Sequence, residues 1–326
     1  LAREIYGRYT DLIEPFGMDE VWADVTGSQR AMGTPLHMAE EIKKTITYEL
    51  GLTVSIGVSF NKIFAKLGSD MKKPDAITVI NKETFREQIW NLPASDMLGV
   101  GRATEKKLSS VGIRTIGQIA QYPCDYFQRK LGKCGVDLWR FANGMDDSQV
   151  TVRDYEAPDK SVGHGMTAIQ DLENDAEVWK FILELCQDIG HRLYVFNKKA
   201  TGIAIAIRDN ELFTKQWQSA IPVPTQSPSS IAKEAFSLFL RSYDWKRPIR
   251  SLTVRAINLT SLDTPCQLDI FSDPVKVARA EALDKTIEEL RYRFGKKIIR
   301  NACLLDNPKM SAHDNPDIIM PTGVPQ

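Results

Sequence analysis

The stretch TVSIGVSFNKIFAKLGSDMKKPDAITVI (53–80) decides the fold of the N-terminal part of the chain. Its first eight residues, 53–60, are rich in β-branched side chains and predict a strand. Asn61 is a suitable N-cap for a helix over 62–72, which the following proline must end. The residues AITVI (76–80) predict a second strand. Strand, helix and strand in this order indicate an α/β or α+β layer rather than a helical bundle.

Two further elements precede this stretch. Residues 12–26, LIEPFGMDEVWADVT, predict a hairpin because two apolar runs flank the acidic pair Asp19–Glu20. Residues 36–50 predict a helix because apolar side chains recur every four residues, and Gly51 follows as a C-cap.

The pattern of predicted elements changes after about residue 83. Short predicted helices alternate with glycines up to about residue 145, and a polar segment that contains one proline follows as an interdomain linker. A β-α-β-β-α-β order is then predicted, with strands over 161–168, 200–208, 211–220 and 249–259 and helices over 173–194 and 228–243. An amphipathic helix, a short apolar strand, IIRNACLL (298–305), and a disordered tail complete the prediction.

Composition excludes several classes of protein. The 326 residues are enough for two or three domains, and the apolar fraction of 43% argues against wholesale disorder. No apolar run has the roughly 18 residues that a membrane span needs. Five cysteines without a CxxC pair and four histidines without metal-ligand spacing make a zinc site or a disulfide framework improbable and fit a reducing cytoplasm. The 42 basic and 42 acidic side chains balance, so any DNA binding must use local patches.

The first candidate site is Asp19–Glu20 at the tip of the hairpin. Adjacent carboxylates repel each other, which favours a cation between them, and carboxylate oxygens suit Mg²⁺. From the dipeptide alone a solvated turn is the favoured alternative, because acidic pairs are common in turns.

The second candidate is the basic stripe formed by Lys62, Lys66 and Lys73. At roughly 100° per residue these side chains point within about 40° of one another on a helix. Such a stripe at a helix N-terminus can hold phosphate, whereas the alternative is a solvated helix face.

The third candidate is MLGVGRATEKKLSSVGI (97–113), which has the pattern of a helix–hairpin–helix motif. Gly99 and Gly101 allow the backbone to approach a DNA phosphate, and the free N–H groups of the next helix point at it. Lys106 and Lys107 add positive charge. A plain helical turn is the alternative.

Two weaker candidates lie further along the chain. The predicted strands of 160–262 carry scattered cations that include Lys160, Arg250 and Arg255, and they form a DNA surface only if they segregate onto one sheet face. The apolar-aromatic peptide QLDIF (267–271) predicts either a docking peptide or one more core strand.

Together these segments resemble the Y family of translesion DNA polymerases, in the group of the bacterial DNA polymerase IV (DinB) and UmuC-like enzymes. The resemblance covers roughly residues 1–305. It is carried by EPFGMDEVWADVT (14–26), SIGVSFNKIFAKLGSDMKKPDA (55–76), LPASDMLGVGRATEKKLSSVGIRTIGQIA (92–120) and KSVGHGMT (160–167).

The resemblance implies an α+β multidomain fold. It implies a palm remainder with a mixed sheet over 1–82, a helical thumb over 83–147, a linker over 148–159, a DNA-binding little finger over 160–262, and a clamp-binding-like peptide with a C-terminal helix and tail over 263–326.

The resemblance also implies error-prone, template-directed DNA synthesis past damaged bases with two Mg²⁺ ions. Asp19 and Glu20 match the paired catalytic, metal-binding carboxylates, and Lys73 matches the lysine that contacts the incoming triphosphate, with Lys66 and Lys62 in the same motif. The implied DNA contacts are Gly99, Gly101, Lys106, Lys107, Lys160, Ser161, Gly163, Arg250 and Arg255. The implied partners are primer–template DNA, an incoming nucleotide and, through Gln267, Leu268, Asp269, Ile270 and Phe271, a sliding clamp. A monomer in the bacterial cytoplasm is expected.

Two departures from the family pattern matter. Gly17-Met18 precede the acidic pair where the family often has Ser-x, and we expect the chemistry to survive that change. The opening strand of the family, with its first metal-binding Asp and aromatic steric gate, and most of the fingers are not recognisable in the sequence. We therefore expect an N-terminally truncated chain that is inactive as it stands.

Three other interpretations remain open. One is a non-catalytic DNA- or clamp-binding relative of the polymerase. A second is a nuclease that uses Asp19–Glu20 with Asp24 or Asp70 as a further carboxylate. A third is a fragment without an independent fold.

Overall fold

The computed structural model describes residues 1–155, 158–264, 274–295, 298–305 and 309–310. By its contacts the chain divides into two compact units, with the first ending in the sequence at Ala157 and the second beginning at Pro158. No helix in these described ranges is both long and apolar enough to cross a membrane.

The predicted strand–helix–strand stretch forms as β3 (Ile56–Ser59), α4 (Lys62–Met71) and β4 (Ile77–Ile80), with the two strands parallel. The side chain of Asn61 caps α4 by accepting a hydrogen bond from the Phe64 N–H at 2.8 Å, as its position in the sequence predicts. The helix lies close against β3. This close approach is possible only because residue 57 is glycine, since a Cβ there would lie 1.8 Å from the carbonyl oxygen of Ala65.

The predicted hairpin consists of β1 (Ile13–Phe16) and β2 (Glu20–Ala23), paired antiparallel with Phe16 opposite Glu20. Gly17 has φ of +76°, so it adopts the left-handed conformation that the tight turn needs. The predicted helix after the hairpin is α3 (Pro35–Leu50).

The remaining helices of the first unit are short. They are α1 (Ala2–Tyr6), α2 (Gln29–Met32), α5 (Phe85–Ile89), α6 (Arg102–Ser109), α7 (Ile116–Gln121), α8 (Cys124–Leu131) and α9 (Lys133–Ala142). One apolar core runs from Ile63, Phe64 and Leu67 on α4 to Leu138 and Ala142 on α9. This core crosses the predicted palm–thumb boundary at residue 82, so α4 is held by the helices that follow it as well as by its own sheet.

The second unit has the predicted β-α-β-β-α-β order of elements. They are β5 (Ser161–Leu172), α10 (Asp175–Val195), β6 (Lys198–Asp209), β7 (Thr214–Thr225), α11 (Pro228–Ser242) and β8 (Ile249–Ser261). The strands form an antiparallel sheet in the order β5-β8-β6-β7. Apolar side chains of the sheet pack with those of α10 and α11 into a single core, and we call the sheet face opposite these two helices the open face.

The C-terminal helix is α12 (Pro274–Phe294), and a polar network attaches it to α10. Glu288, only 6% exposed, lies 2.6 Å from Nδ1 of His191 and accepts a hydrogen bond from Arg291 at 3.2 Å. Burial would raise the pKa of Glu288, but the hydrogen bond to His191 and the charges of His191 and Arg291 outweigh it and lower that pKa.

The predicted strand over 298–305 is wrong. This segment contains a short 3₁₀ helix, Ala302–Leu304, that buries Leu304 in the core of the second unit. The edge of β5 is reached instead by the carbonyl of Lys309, which accepts a hydrogen bond from the N–H of Ile169 at 3.0 Å. An apolar run indicates burial, but it does not specify the pairing that a strand requires. The predicted disordered tail lies outside the described residues.

Candidate nucleotidyl-transfer site and nucleic-acid surfaces

The hairpin presents the acidic pair at the edge of α4. Asp19 lies in the turn and is exposed, whereas Glu20 opens β2 and is partly buried. The Oε1 atom of Glu20 accepts a hydrogen bond from Nζ of Lys66 at 2.8 Å. The structure therefore brings one member of the predicted carboxylate pair together with one member of the predicted lysine stripe.

Asp70 extends this contact into a chain of charges. It accepts from Lys66 Nζ at 2.7 Å through Oδ2 and from Lys73 Nζ at 2.6 Å through Oδ1. We call the linked side chains Glu20, Lys66, Asp70 and Lys73 the charge chain. Burial would lower the pKa of Lys66, but its hydrogen bonds to Asp70 and Glu20 outweigh that effect and raise it. Burial would raise the pKa of Asp70, but the two lysines hold it below its ordinary value.

Lys62 has a different set of contacts from the other two lysines. Its ammonium, with a side chain only 10% exposed, lies 2.5 Å from Oε2 of Glu14 and 5.3 Å from the centre of the Trp22 ring. The same carboxylate oxygen accepts a hydrogen bond from the N–H of Thr151 at 3.0 Å, and Nε1 of Trp22 donates to the Lys62 carbonyl. These contacts fasten the start of α4 to the hairpin. The predicted triphosphate contact of Lys62 stays a prediction, while its observed partner is Glu14.

The acidic pair fits a site for a hard divalent cation in the chemistry of its ligands. Asp19 and Glu20 offer adjacent carboxylate oxygens, the ligand type that Mg²⁺ prefers. Over the described parts of the chain, no group of three His, Cys, Asp or Glu side chains is arranged to hold a metal. The pair could therefore hold a metal only together with oxygens from water, substrate phosphates or another carboxylate.

The two acids that a nuclease would need have other partners. Asp24 accepts a hydrogen bond from the N–H of Thr26 at 2.9 Å and so stabilises the turn after β2. Asp70 is neutralised by two lysines in the charge chain. Neither observation supports a third catalytic carboxylate.

The predicted helix–hairpin–helix turn lies before α6. Gly99 has φ of +92°, Gly101 is the N-cap of α6 without any side-chain cap, and Lys106 and Lys107 are exposed. A cavity of about 260 Å³ beside the turn is lined in part by Gly99, Lys107 and Lys130.

Sequence reasoning missed a second glycine turn at this cavity. Gly132, with φ of +64°, joins α8 to α9, and Lys130 and Lys133 flank it. Buried Gly135 allows the two helices to approach closely, because a Cβ there would lie 2.5 Å from the Phe127 carbonyl oxygen. The spacing of lysine and glycine in KLGKCG (130–135) was the available signal.

The sheet of the second unit segregates its side chains by face. The helix-covered face is apolar. From the strand register, the open face carries Ser161, Gly163, Gly165, Thr167, Ser251, Thr253, Arg255, Ile257, Gly202, Ala204, Ala206, Arg208, Thr214, Gln216, Gln218 and Ala220. None of these residues from the four described strands is acidic, and two are arginines. Of the predicted cations Lys160, Arg250 and Arg255, only Arg255 lies on this face, so the DNA-binding surface stays a prediction.

The other residues predicted to contact DNA or a partner protein do not all lie on the open face. Gly163 lies opposite Arg255, and a Cβ at 163 would lie 2.3 Å from Cγ of that arginine, so glycine makes room for its stem. Arg250 lies at an irregularity of β8 and is exposed, as is Lys160 just before β5. The predicted docking peptide, residues 267–271, lies outside the described residues.

Models of known protein families match three parts of the chain. The family described as impB/mucB/samB matches residues 2–70, and the impB/mucB/samB C-terminal domain matches residues 159–270. The model described as the thumb domain of DNA polymerase iota matches residues 95–146, which contain both glycine turns.

Known proteins are similar over most of the chain. DNA polymerase IV of Acetivibrio thermocellus is 44% identical over 306 residues, which are 94% of this chain and 77% of that protein. DNA polymerase IV 2 of Bacillus subtilis is 34% identical over 310 residues, 92% of this chain and 73% of that protein.

A solved structure shares the fold at low sequence identity. A Y-family DNA polymerase chimera superposes with a TM-score of 0.67 at 22% identity, covering 80% of this chain and 74% of that one. The identities to the two curated polymerases carry the family assignment, and the structural likeness agrees with it. The chain belongs to the Y family of DNA polymerases, in the group of the bacterial DNA polymerase IV proteins.

Proposed function

We propose that the protein carries out template-directed DNA synthesis past damaged bases, by nucleotidyl transfer at the hairpin formed by β1 and β2. The observation that carries this proposal is the charge chain. It links Glu20 of the acidic pair to Lys73, the lysine of the motif that contacts a triphosphate in the family. A site that holds carboxylates for metal ions next to cations for phosphates has the parts that phosphoryl transfer needs.

Asp19 and Glu20 would hold the metal ions. When bound, two Mg²⁺ ions would activate the primer hydroxyl and stabilise the charge on the triphosphate. Asp19, exposed at the turn, would supply carboxylate oxygens to the metal site, whereas Glu20 is oriented by Lys66. Lys73 is 52% exposed and binds Asp70 with only one of its three N–H donors, so it can also donate to phosphate oxygens.

The two carboxylates are too few for two metal ions. Two ions at roughly 3.5–4 Å repel each other and need several carboxylates to offset that repulsion. The described residues contain no group of three suitable ligands, and we propose that synthesis needs a further carboxylate besides Asp19 and Glu20. We therefore expect residues 1–326 alone to extend a primer poorly or not at all.

Two surfaces would hold the primer–template. In the thumb, the backbone at Gly99 and Gly132 and the exposed Lys107 and Lys130 can bind phosphates without reading the base sequence. In the second unit, the open sheet face offers Arg255 among small and polar side chains. Small side chains allow a duplex to approach closely, and contacts of this kind tolerate damaged bases because they do not depend on base identity.

Primer extension tests the proposed function. The complete gene product that contains residues 1–326 is incubated with Mg²⁺, four nucleotides and a labelled primer on templates with and without an abasic site. We expect added bases to follow the template and some primers to pass the abasic site. Tight DNA binding without any extension would contradict the proposal and favour the non-catalytic relative. Shortening of the primer in the absence of nucleotides would favour the nuclease.

We also propose that QLDIF (267–271) binds a sliding clamp. Its support is the sequence, an apolar-aromatic peptide set between polar segments. A pulldown with the bacterial clamp should lose the protein when Leu268→Ala and Phe271→Ala are combined, while DNA binding stays intact. An unchanged pulldown would refute the docking role.

A further inference from the structure

Asp70 occupies an unfavourable place for an acidic residue. It lies in the last turn of α4, where the helix dipole disfavours negative charge. Lys73 lies beyond the end of the helix at Met71, so the ion pair between them does not close a helical turn. Partly exposed pairs of this kind contribute little to stability. The i,i+4 pair of Asp70 with Lys66 lies within α4 and supports the helix, whereas helix stability does not account for the contact of Asp70 with Lys73.

The carboxylate of Asp70 uses both oxygens to hold two ammonium groups. Oδ2 binds Lys66 at 2.7 Å and Oδ1 binds Lys73 at 2.6 Å, so two cations that would repel each other share one counter-ion. Lysine is among the side chains that lose the most conformational entropy when they become ordered. Because Asp70 already orders Lys73 in the free protein, the nucleotide does not have to order it on binding.

We propose that Asp70 is a positioning residue for the incoming nucleotide, an inference that rests on the proposed function of this site. Asp70 fixes Lys73 where its remaining N–H donors face the triphosphate, and it fixes Lys66 on Glu20. Two lysines neutralise Asp70, so its own repulsion of the phosphates is weak. Loss of its charge frees Lys73 and lets the two ammonium groups separate, and the triphosphate then binds less tightly.

Nucleotide binding without chemistry tests this role. The complete gene product is bound to a primer–template whose primer ends in a dideoxynucleotide, and the Kd of the next correct nucleotide is measured by equilibrium titration. We expect Asp70→Asn to raise this Kd roughly tenfold, the loss of one ordered, charged contact. In a Lys73→Ala background the same substitution should change it less than about twofold, because its target is gone.

Asp75→Asn is the matched control. Asp75 pairs with Lys43 at 3.1 Å rather than with a lysine of the charge chain, and its φ of 55° is one that asparagine adopts readily. The control should leave the nucleotide Kd unchanged, and neither variant should alter the Kd for DNA by more than about twofold.

Several results would overturn the inference. An unchanged or tighter nucleotide Kd in Asp70→Asn would show that Asp70 does not preorganise the site. An equal loss with and without Lys73 would show that Asp70 does not act through that lysine. If Lys73→Ala itself leaves the Kd unchanged, the assignment of Lys73 under the proposed function fails as well. If Lys73→Ala raises the nucleotide Kd while Asp70→Asn leaves it unchanged, only the positioning role of Asp70 fails.

Discussion

Gly57→Ala should disable the site without touching any charged residue. Gly57 lies in β3, and α4 passes so close that a new Cβ would meet the Ala65 carbonyl oxygen at 1.8 Å and the Ser69 nitrogen at 2.6 Å. Both atoms belong to the backbone of α4, so no side-chain rotation relieves the contact. The helix as a whole must retreat from the strand.

The size of the retreat can be estimated from the distances. Real Cβ contacts are essentially never shorter than 3.0 Å, so α4 must move by about 1.2 Å. A shift of this size along the contact direction would lengthen the 2.8 Å bond from Lys66 to Glu20 beyond hydrogen-bonding distance. Overpacking costs about 1–3 kcal/mol of folding stability. A misplacement of about 1 Å at a catalytic site can cost about 100-fold in rate.

Two assays on the complete gene product check this prediction. Urea denaturation should give a lower midpoint for Gly57→Ala, and kcat/KM for incorporation of one nucleotide should fall by about 100-fold. Gly27→Ala is the control, because a Cβ at Gly27 has no neighbour within 4 Å. A Gly57→Ala protein with the stability and activity of the control would refute the close approach of β3 and α4.

Three further predictions concern other contacts. Lys62→Met should lower the unfolding free energy of the first unit by about 1–3 kcal/mol, measured in urea, because Glu14 loses its charged partner; unchanged stability would contradict a fastening role. The lowered pKa of Glu288 stabilises the folded protein at pH values above the ordinary pKa of this group, 4.5. This stabilisation is lost as the pH falls through the lowered pKa of the folded protein. The unfolding midpoint of the second unit should therefore fall less steeply toward acid in Glu288→Gln than in the parent, and parallel curves would exclude a contribution from the pair with His191. Arg255→Ala should weaken binding to DNA of any sequence and reduce the slope of log K against log salt by about one; an unchanged slope would remove the open face from the DNA surface.

Local signals were enough to predict the elements of the site. The cap at Asn61, the apolar period of α3 and the turn around Asp19–Glu20 each lie within a few residues of the element that they define. The acidic pair at the tip of the hairpin could be singled out for the same reason, because two adjacent carboxylates need no tertiary information to be noticed, and its chemistry stays a prediction.

Contacts between distant residues could not be predicted in this way. Helical phase places Lys62 and Lys66 on one face, but it does not say that Lys62 pairs with Glu14, 48 positions earlier, or that Lys66 pairs with Glu20. Such pairings depend on how the hairpin docks on α4. The wrong strand at 298–305 has a related cause, because Leu304 packs into a core that other elements build, while Ile298 and Leu305 stay exposed.

The most direct test of the central claim is the rate at which a single nucleotide is added when DNA and nucleotide are saturating. The complete gene product is compared with Asp19→Asn, which removes the charge expected to hold the metal ions, and with Asp24→Asn in the same hairpin, which lies in a turn outside the site. We predict that Asp19→Asn lowers this rate by at least about 1000-fold, since removal of a metal-binding carboxylate removes transition-state stabilisation. Asp24→Asn should stay within about threefold of the parent. Normal synthesis by Asp19→Asn would contradict the assignment of the active site to this hairpin.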